Sequence, residues 1–137
     1  DTDTSFSFAK GAIANNTHWA VKHTTILTTP EGSPFPVSFP AVLLNTAGNV
    51  KAKAISNKEF AAVNAATETG LVADMPEMLV IGTDWFNYDQ TTHRLSSKNL
   101  SYVLETMAAK RTKFRVLNYY DDNNESGHIK LEYTTAQ

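Results

Sequence analysis

Short apolar runs, each broken by turn-forming or polar residues, constrain the fold of this chain more than any other feature. Examples are Phe39–Leu44 and Met78–Ile81, far below the roughly eighteen apolar residues that a membrane span requires. The 137 residues suit one domain, and a hydrophobic content of 42% supplies a core that needs no covalent staple. The sequence therefore predicts a single soluble globular domain over residues 1–137, with 1–8 as a tail or an edge strand.

The order of the secondary-structure signals predicts an α+β fold. Strand-forming residues predict strands at 19–29, 78–83, 114–120 and 129–134, and a hairpin from 41–45 and 50–55. Two helices are predicted at 56–70 and 96–111, because a serine or asparagine cap precedes apolar residues at helical spacing. The expected architecture is a mixed, mostly antiparallel sheet with two helices, which allows one parallel strand–helix–strand crossover around Val80 and Val116.

Charge and cysteine content exclude several classes of function. The net charge is −2 and no cysteine is present, which excludes disulfides, thiol catalysis and thiolate metal sites. The basic grouping Lys110, Arg111, Lys113 and Arg115 is too narrow to predict nucleic-acid binding and fits a solvated strand edge equally well. The chain begins at Asp1 without an initiator methionine, which suggests processing or an edited N-terminus, and no compartment is indicated.

A polar and aromatic loop after the predicted strand 78–83 provides the best pocket candidate. It carries Trp85, Phe86 and Tyr88 as binding residues. Asp84, Asp89 and His93 surround them and are candidates for acid–base chemistry. The alternative is that these aromatic residues only cover the end of the sheet.

Two further patterns resemble functional motifs without completing them. His23-Thr24-Thr25 has the His-x-Thr pattern of two-histidine phosphoesterases, but the second copy is missing, since Lys130 stands where a hydroxyl is needed. Asp122, Asn124 and Ser126 match the first half of a calcium loop, but no glutamate occupies its twelfth position. An ordinary Asp- and Asn-rich turn explains the same residues, so no metal site and no cofactor are predicted.

The segment Pro76–Thr83, followed by a loop and a predicted helix that opens with Leu95-Ser96, resembles the central part of a small α/β domain family. That family includes an assembly factor of respiratory complex I and archaeal relatives. The resemblance covers about half of the chain and implies a small module without an agreed catalytic activity. Asp84 stands where the family has its second glycine, and the family's C-terminal helix has no counterpart here.

These patterns together predict a non-enzymatic binding or assembly module, acting through a sheet edge and the loop from Trp85 to Tyr88. Its partner would be another protein or a second copy of the chain, as for a structural subunit or an assembly factor. The alternative is a small hydrolase that uses His93 or His23 with Asp84 or Asp89 at the end of the predicted strand Met78–Ile81.

Overall fold

The computed structural model describes residues 4–8, 12–14, 20–106 and 110–135. Within these ranges the chain forms strands and two short 3-10 helices, and none of the helical turns is long and apolar enough to cross a membrane. The strands are β1 (Thr4–Ser7), β2 (Ala12–Ala14), β3 (Val21–Thr28), β4 (Val37–Leu44), β5 (Lys51–Ile55), β6 (Phe86–Asp89), β7 (Arg94–Ser97), β8 (Ser101–Glu105), β9 (Arg111–Tyr120) and β10 (Ser126–Thr135). The 3-10 helices are Thr46–Gly48 and Phe60–Ala62.

The strands form two four-stranded sheets and a separate hairpin. The first sheet has the order β2-β1-β3-β4 and the second has the order β10-β9-β8-β5. Strands β6 and β7 pair with each other alone. Among the described residues, every strand pairing is antiparallel. The α+β prediction is therefore wrong, and so is the parallel crossover, because the described residues form an almost all-β fold.

The two sheets pack face to face around one core. Along β9, Thr112, Phe114 and Val116 are buried while the residues between them are only half-buried, which is the period-two pattern of a strand with one face in the core. The buried residues of this core cluster are Phe8, Ala20, Val21, Phe39, Val42, Leu44, Val50, Ala52, Ile81, Trp85, Phe86, Tyr102, Leu104, Phe114 and Val116. Both sheets and the β6–β7 hairpin thus share one apolar interior.

The outer face of the second sheet is covered by the segment 59–70. Val63 and Ala65 pack there against Ile55 and Val103 in a second apolar cluster. The carbonyl oxygens of this segment accept hydrogen bonds from β9 side chains. Lys113 Nζ donates to Phe60 O at 2.7 Å, and Arg111 Nη1 donates to Ala65 O at 2.9 Å and to Glu68 O. Arg115 pairs with Glu132. Arg111 and Lys113 of the basic grouping therefore hold the covering segment in place.

Neither predicted helix forms in the described residues. In the first, the buried residues Val63 and Ala65 alternate with exposed neighbours, which is not a helical pattern. Side chains of β9 also bind backbone carbonyls that a helix would use for its own hydrogen bonds. In the second, β8 is buried on both faces, with Tyr102 in the main core and Val103 in the outer cluster. Such a strand carries contiguous apolar residues, and these also satisfy helical spacing. Residues 107–109 of that prediction lie outside the described ranges.

Two predicted strand arrangements are also wrong. The segments 41–45 and 50–55 do not form a hairpin, since β4 lies in the first sheet and β5 in the second. The run Met78–Ile81 is no strand, for Met78 is 65% exposed while Ile81 is buried. Gly82 then makes an isolated antiparallel bridge to Val42 on the outer side of β4. By contrast, the strands predicted at 114–120 and 129–134 are confirmed within β9 and β10.

Candidate functional site

A cleft of about 770 Å³ opens where the β3–β4 connection, the β6–β7 hairpin and the paired ends of β9 and β10 meet. We call it the hairpin cleft. Its residues are Gly32, Ser33, Pro34, Phe35, Val37, Ser38, Phe39, Pro40, Tyr88, Gln90, Thr92, His93, Arg94, Leu95, Tyr119, Tyr120, Asn124 and Ser126. Apolar and aromatic walls with a few convergent polar groups are the usual composition of a ligand site.

Tyr88 and His93 form a hydrogen-bonded pair on the β6–β7 hairpin. The Tyr88 hydroxyl lies 2.8 Å from His93 Nδ1. The geometry depends on the hairpin loop, in which His93 has a left-handed φ of 57°. The Asp89 carboxylate fixes that loop by accepting the backbone N–H groups of Thr91 and Thr92. These hydrogen bonds lower the pKa of Asp89, since they favour its charged form.

Arg94 places a positive charge beside this pair. Its guanidinium lies over the Tyr120 ring, 4.0 Å from the ring centroid, and donates to Asn124 Oδ1 at 2.5 Å. The Tyr120 hydroxyl in turn accepts the backbone N–H of Leu95 at 2.9 Å. Hydrogen bonds and ring stacking thus hold the guanidinium of an exposed arginine in one orientation, which suits it to bind a carboxylate.

Aromatic side chains supply the apolar part of the cleft. The buried ring of Phe39 packs edge-on against Tyr88, with 4.8 Å between the centroids. Phe35 lines the same cleft and is 70% exposed, which is unusual for a phenylalanine. A ligand that covers an exposed aromatic ring at a cleft removes apolar surface from water, which stabilises the complex.

The structure separates the predicted binding residues of the aromatic loop. Trp85 and Phe86 are buried in the main core, and only Tyr88 reaches the cleft. Of the predicted acid–base residues, His93 lines the cleft, whereas neither Asp84 nor Asp89 does. The arrangement therefore brings Tyr88 and His93 together and leaves the two carboxylates outside.

His23 lies at a different place, in a cleft of about 500 Å³ between the first sheet and β10. We call it the inter-sheet cleft. The Nε2 atom of His23 is buried, and its ring packs edge-on against Tyr119 with 6.1 Å between centroids. His128 lines the same cleft. The fourth histidine, His18, lies outside the described residues.

The predicted calcium half-loop forms the turn between β9 and β10. Asn124 Oδ1 accepts the hydrogen bond from Arg94, and Asn124 has a left-handed φ of 66°. The carboxylate that organises this turn is Asp121, which accepts the N–H groups of Asn123 and Glu125. Asp122 is exposed at the tip of the turn. An ordinary Asp- and Asn-rich turn accounts for this geometry.

Sequence reasoning missed Arg94, Tyr119 and Tyr120 as residues of the site. Arg94 follows His93 directly, so its place at the same hairpin could have been noticed. The two tyrosines end the strand predicted at 114–120, and nothing in their spacing connects them with a hairpin about 25 residues earlier. Tertiary structure alone brings these residues together.

Comparison with known proteins gives a fold but no sequence family. No protein-family model and no curated protein matches the chain. Among solved structures, the apo HmuY analog TFO of Tannerella forsythia superposes with a TM-score of 0.64 at 12% identity, over 98% of this chain and 89% of that one. Apo PinO of Porphyromonas gingivitis gives 0.62 at 8%, over 98% and 91%. A Bacteroides vulgatus protein described as HmuY-like and heme-binding gives 0.62 at 14%, over 96% and 83%.

At these identities the similarity establishes the fold, which is that of the HmuY-like structures. It also overturns the resemblance to the complex I assembly-factor family, and with it the support for an assembly role. The resemblance depended on a buried strand in the segment Pro76–Thr83. In the structure that segment instead begins in an exposed turn, which the bridge between Met75 and Met78 closes. The helix expected after Leu95 is replaced by β7 and β8.

Proposed function

We propose that this chain is a non-enzymatic binding protein whose ligand is heme, held in the hairpin cleft. The carrying observation is the Tyr88–His93 pair, 2.8 Å apart, at an aromatic cleft that also contains a guanidinium. The fold supports the proposal, because one structure with the same fold is described as heme-binding. The description of that protein suggests the ligand, and the residues of this chain provide the test.

The polar groups of the cleft fit an iron porphyrin. A tyrosine oxygen is a known axial ligand of ferric heme iron. The hydrogen bond between the Tyr88 hydroxyl and Nδ1 of His93 would hold the tyrosine oxygen in place for the iron. Heme would supply the ferric iron for this bond, and the protein would supply the oxygen and the histidine that positions it.

The remainder of the cleft fits the rest of the molecule. Phe35 offers apolar surface to a flat macrocycle, and covering its exposed ring would add to affinity. Arg94 offers a charged fork to a carboxylate at the edge of the ligand. Heme has both features, a wide apolar face and two carboxylates, so the aromatic walls and the cation favour it over a small polar ligand.

The hydrolase alternative has less support. That alternative pairs His93, as the base, with the carboxylate of Asp84 or Asp89 directed into the same space. The carboxylate of Asp89 instead binds the hairpin loop, and Asp84 does not line the cleft. The group that His93 contacts is the Tyr88 hydroxyl, which suits ligand binding better than acyl or phosphoryl transfer.

Titration of the purified protein with ferric heme, followed by absorbance, tests the proposal. We expect saturable 1:1 binding with the spectrum of tyrosinate-ligated ferric heme. Tyr88→Phe keeps the ring against Phe39 but removes the oxygen, and it should weaken binding by about tenfold or more and abolish that spectrum. Tyr133→Phe is the matched control, since this half-exposed tyrosine lines the other cleft.

Titration with iron-free protoporphyrin IX distinguishes binding by the walls of the cleft from binding through the iron–oxygen bond. The porphyrin should bind the wild type and the Tyr88→Phe variant equally, because neither complex has an iron–oxygen bond. The proposal fails if wild-type protein does not bind heme, or if Tyr88→Phe binds it with unchanged affinity and spectrum.

A further inference from the structure

The turn between β9 and β10 brings three different potential metal ligands together outside the hairpin cleft. Single donor atoms of Asp121, Glu125 and His128 all lie within 4.8 Å of one another. The left-handed residues Asn124 and Gly127 reverse the chain between them. From this geometry we infer that the turn is a binding site for a divalent transition-metal ion, and that Zn²⁺ is the ion its ligands suit best.

Hydrogen bonds orient the Asp121 carboxylate for this role. Its Oδ1 atom accepts the backbone N–H groups of Asn123 and Glu125, each at 2.9 Å. Its second oxygen, Oδ2, faces Nε2 of His128 at 3.6 Å. One oxygen therefore fixes the carboxylate while the other remains available to a ligand, which is how supporting hydrogen bonds prepare a metal site.

The distance between Oδ2 and Nε2 supports a shared ion. A direct hydrogen bond between these atoms would be about 2.7–3.2 Å long, so 3.6 Å is too long for a good one. Two ligands bound to Zn²⁺ at about 2.0–2.1 Å in a tetrahedron stand roughly 3.3 Å apart. The pair is thus within a few tenths of an ångström of the separation that a bridging ion requires.

The ligand types favour zinc over calcium. One imidazole nitrogen and two carboxylates are typical zinc ligands, and they leave a fourth position for water. Calcium takes six to eight oxygen ligands and rarely uses histidine. The site differs from the calcium half-loop of the sequence, since it uses Asp121 and Glu125 in place of Asp122 and Asn124.

The site is independent of the proposed heme cleft. The residues that this turn contributes to the hairpin cleft are Asn124 and Ser126, neither of which is among the three zinc ligands. Zinc binding could therefore be present or absent whatever the result of the heme titration.

Calorimetric titration of the heme-free 137-residue chain with ZnCl₂ at neutral pH tests the inference. We expect one zinc ion per chain. Asp121→Asn keeps an amide oxygen that can accept both N–H groups of the turn but removes the anionic ligand, so it should weaken zinc binding by about tenfold or more. His128→Ala should do the same. Asp122→Asn is the matched control, with an identical charge change one residue away, and it should bind zinc like the wild type.

Three results would overturn the inference. These are no zinc binding by the wild type, unchanged binding by His128→Ala, and equal losses in Asp121→Asn and Asp122→Asn. Far-ultraviolet circular dichroism of each variant guards against an effect of misfolding. A parallel CaCl₂ titration in which Asp122→Asn alone loses binding would favour the calcium half-loop instead.

Discussion

The indole Nε1 of Trp85 donates a hydrogen bond to the backbone carbonyl of Pro40, 3.3 Å away, within the buried core. Pro40 lies in the edge strand β4, and Trp85 precedes the hairpin strand β6. The bond joins the base of the β6–β7 hairpin to the sheet that forms one wall of the hairpin cleft. The position of Tyr88, three residues further on, therefore depends on a core contact.

Replacing Trp85 with phenylalanine should destabilise the protein. The change leaves a cavity in the core and removes the donor to the buried Pro40 carbonyl, so we expect a loss of about 2–4 kcal/mol in the free energy of unfolding. Urea denaturation followed by circular dichroism measures it. Leu27→Ala is the control, since Leu27 is 67% exposed and should change stability by less than about 0.5 kcal/mol. Equal losses in the two variants would contradict this role of Trp85.

Strand β9, which has one buried face, could be predicted from the sequence, whereas strand β8, which has two buried faces, was predicted as a helix. In β9, Phe114 and Val116 alternate with polar residues, and this period of two is specific to a strand. In β8, Tyr102, Val103 and Leu104 are all buried, so the period is lost and helical spacing fits as well. The covering segment 59–70 has helix-forming composition, but contacts with β9 hold it as a short 3-10 helix followed by turns, and no local pattern encodes those contacts.

The candidate site, like the fold, could be predicted only in part from the sequence. Tyr88 and His93 lie five residues apart in a loop that is visibly aromatic, so they could be selected from sequence. Trp85 and Phe86 are aromatic residues of the same segment, but their side chains are buried in the core. Only the packing of the hairpin distinguishes them from Tyr88. Arg94 and Tyr120 meet through tertiary structure, as do Asp121 and His128 across their turn.

Tyr102 provides a prediction about pH. Burial, and secondarily the negative charge of Asp84, raise the pKa of Tyr102 above the usual tyrosine value. Its hydroxyl is buried and has no hydrogen-bond partner among the described residues. The folded state thus requires the neutral phenol. Stability is unaffected by this group below the unfolded pKa of about 10, and it falls as pH rises above that value because the unfolded chain can ionise.

The Tyr102→Phe variant should therefore be as stable as the wild type at pH 7, or more stable by about 1 kcal/mol, since an unsatisfied hydroxyl is removed. Between pH 7 and pH 10.5 the variant should lose less stability than the wild type. Urea denaturation at both pH values measures the difference. A variant that is clearly less stable at pH 7 would indicate that the hydroxyl has a partner.

Arg111 should control the segment that covers the second sheet. Its guanidinium pairs with Glu105 at 3.1 Å and binds the carbonyl oxygens of Ala65 and Glu68. Arg111→Met keeps much of the apolar stem but removes these bonds, so we expect a loss of about 1–3 kcal/mol. Limited proteolysis should then cleave near residues 59–70 faster than in the wild type. Lys110→Met is the control, because Lys110 is exposed next to it. Unchanged cleavage in Arg111→Met would contradict the proposed role.

Arg94 should distinguish heme from its dimethyl ester. If its guanidinium binds a carboxylate of the ligand, Arg94→Gln should weaken heme binding by about fivefold, which corresponds to about 1 kcal/mol for an exposed ion pair. The dimethyl ester has no charged carboxylate, so its affinity should be the same for Arg94→Gln and the wild type. Absorbance titrations with the two porphyrins measure the four affinities directly.

Lys98→Gln serves as the control for the general effect of losing a positive charge, since Lys98 is exposed and does not line the hairpin cleft. Long-range attraction would be weakened similarly in Arg94→Gln and Lys98→Gln, and it would be screened by 0.5 M salt. A direct contact instead predicts a loss confined to Arg94→Gln and to the free acid. If the ester is weakened as much as heme, the role of Arg94 is to hold Tyr120 and Asn124 in place, and the ligand's carboxylates are bound elsewhere.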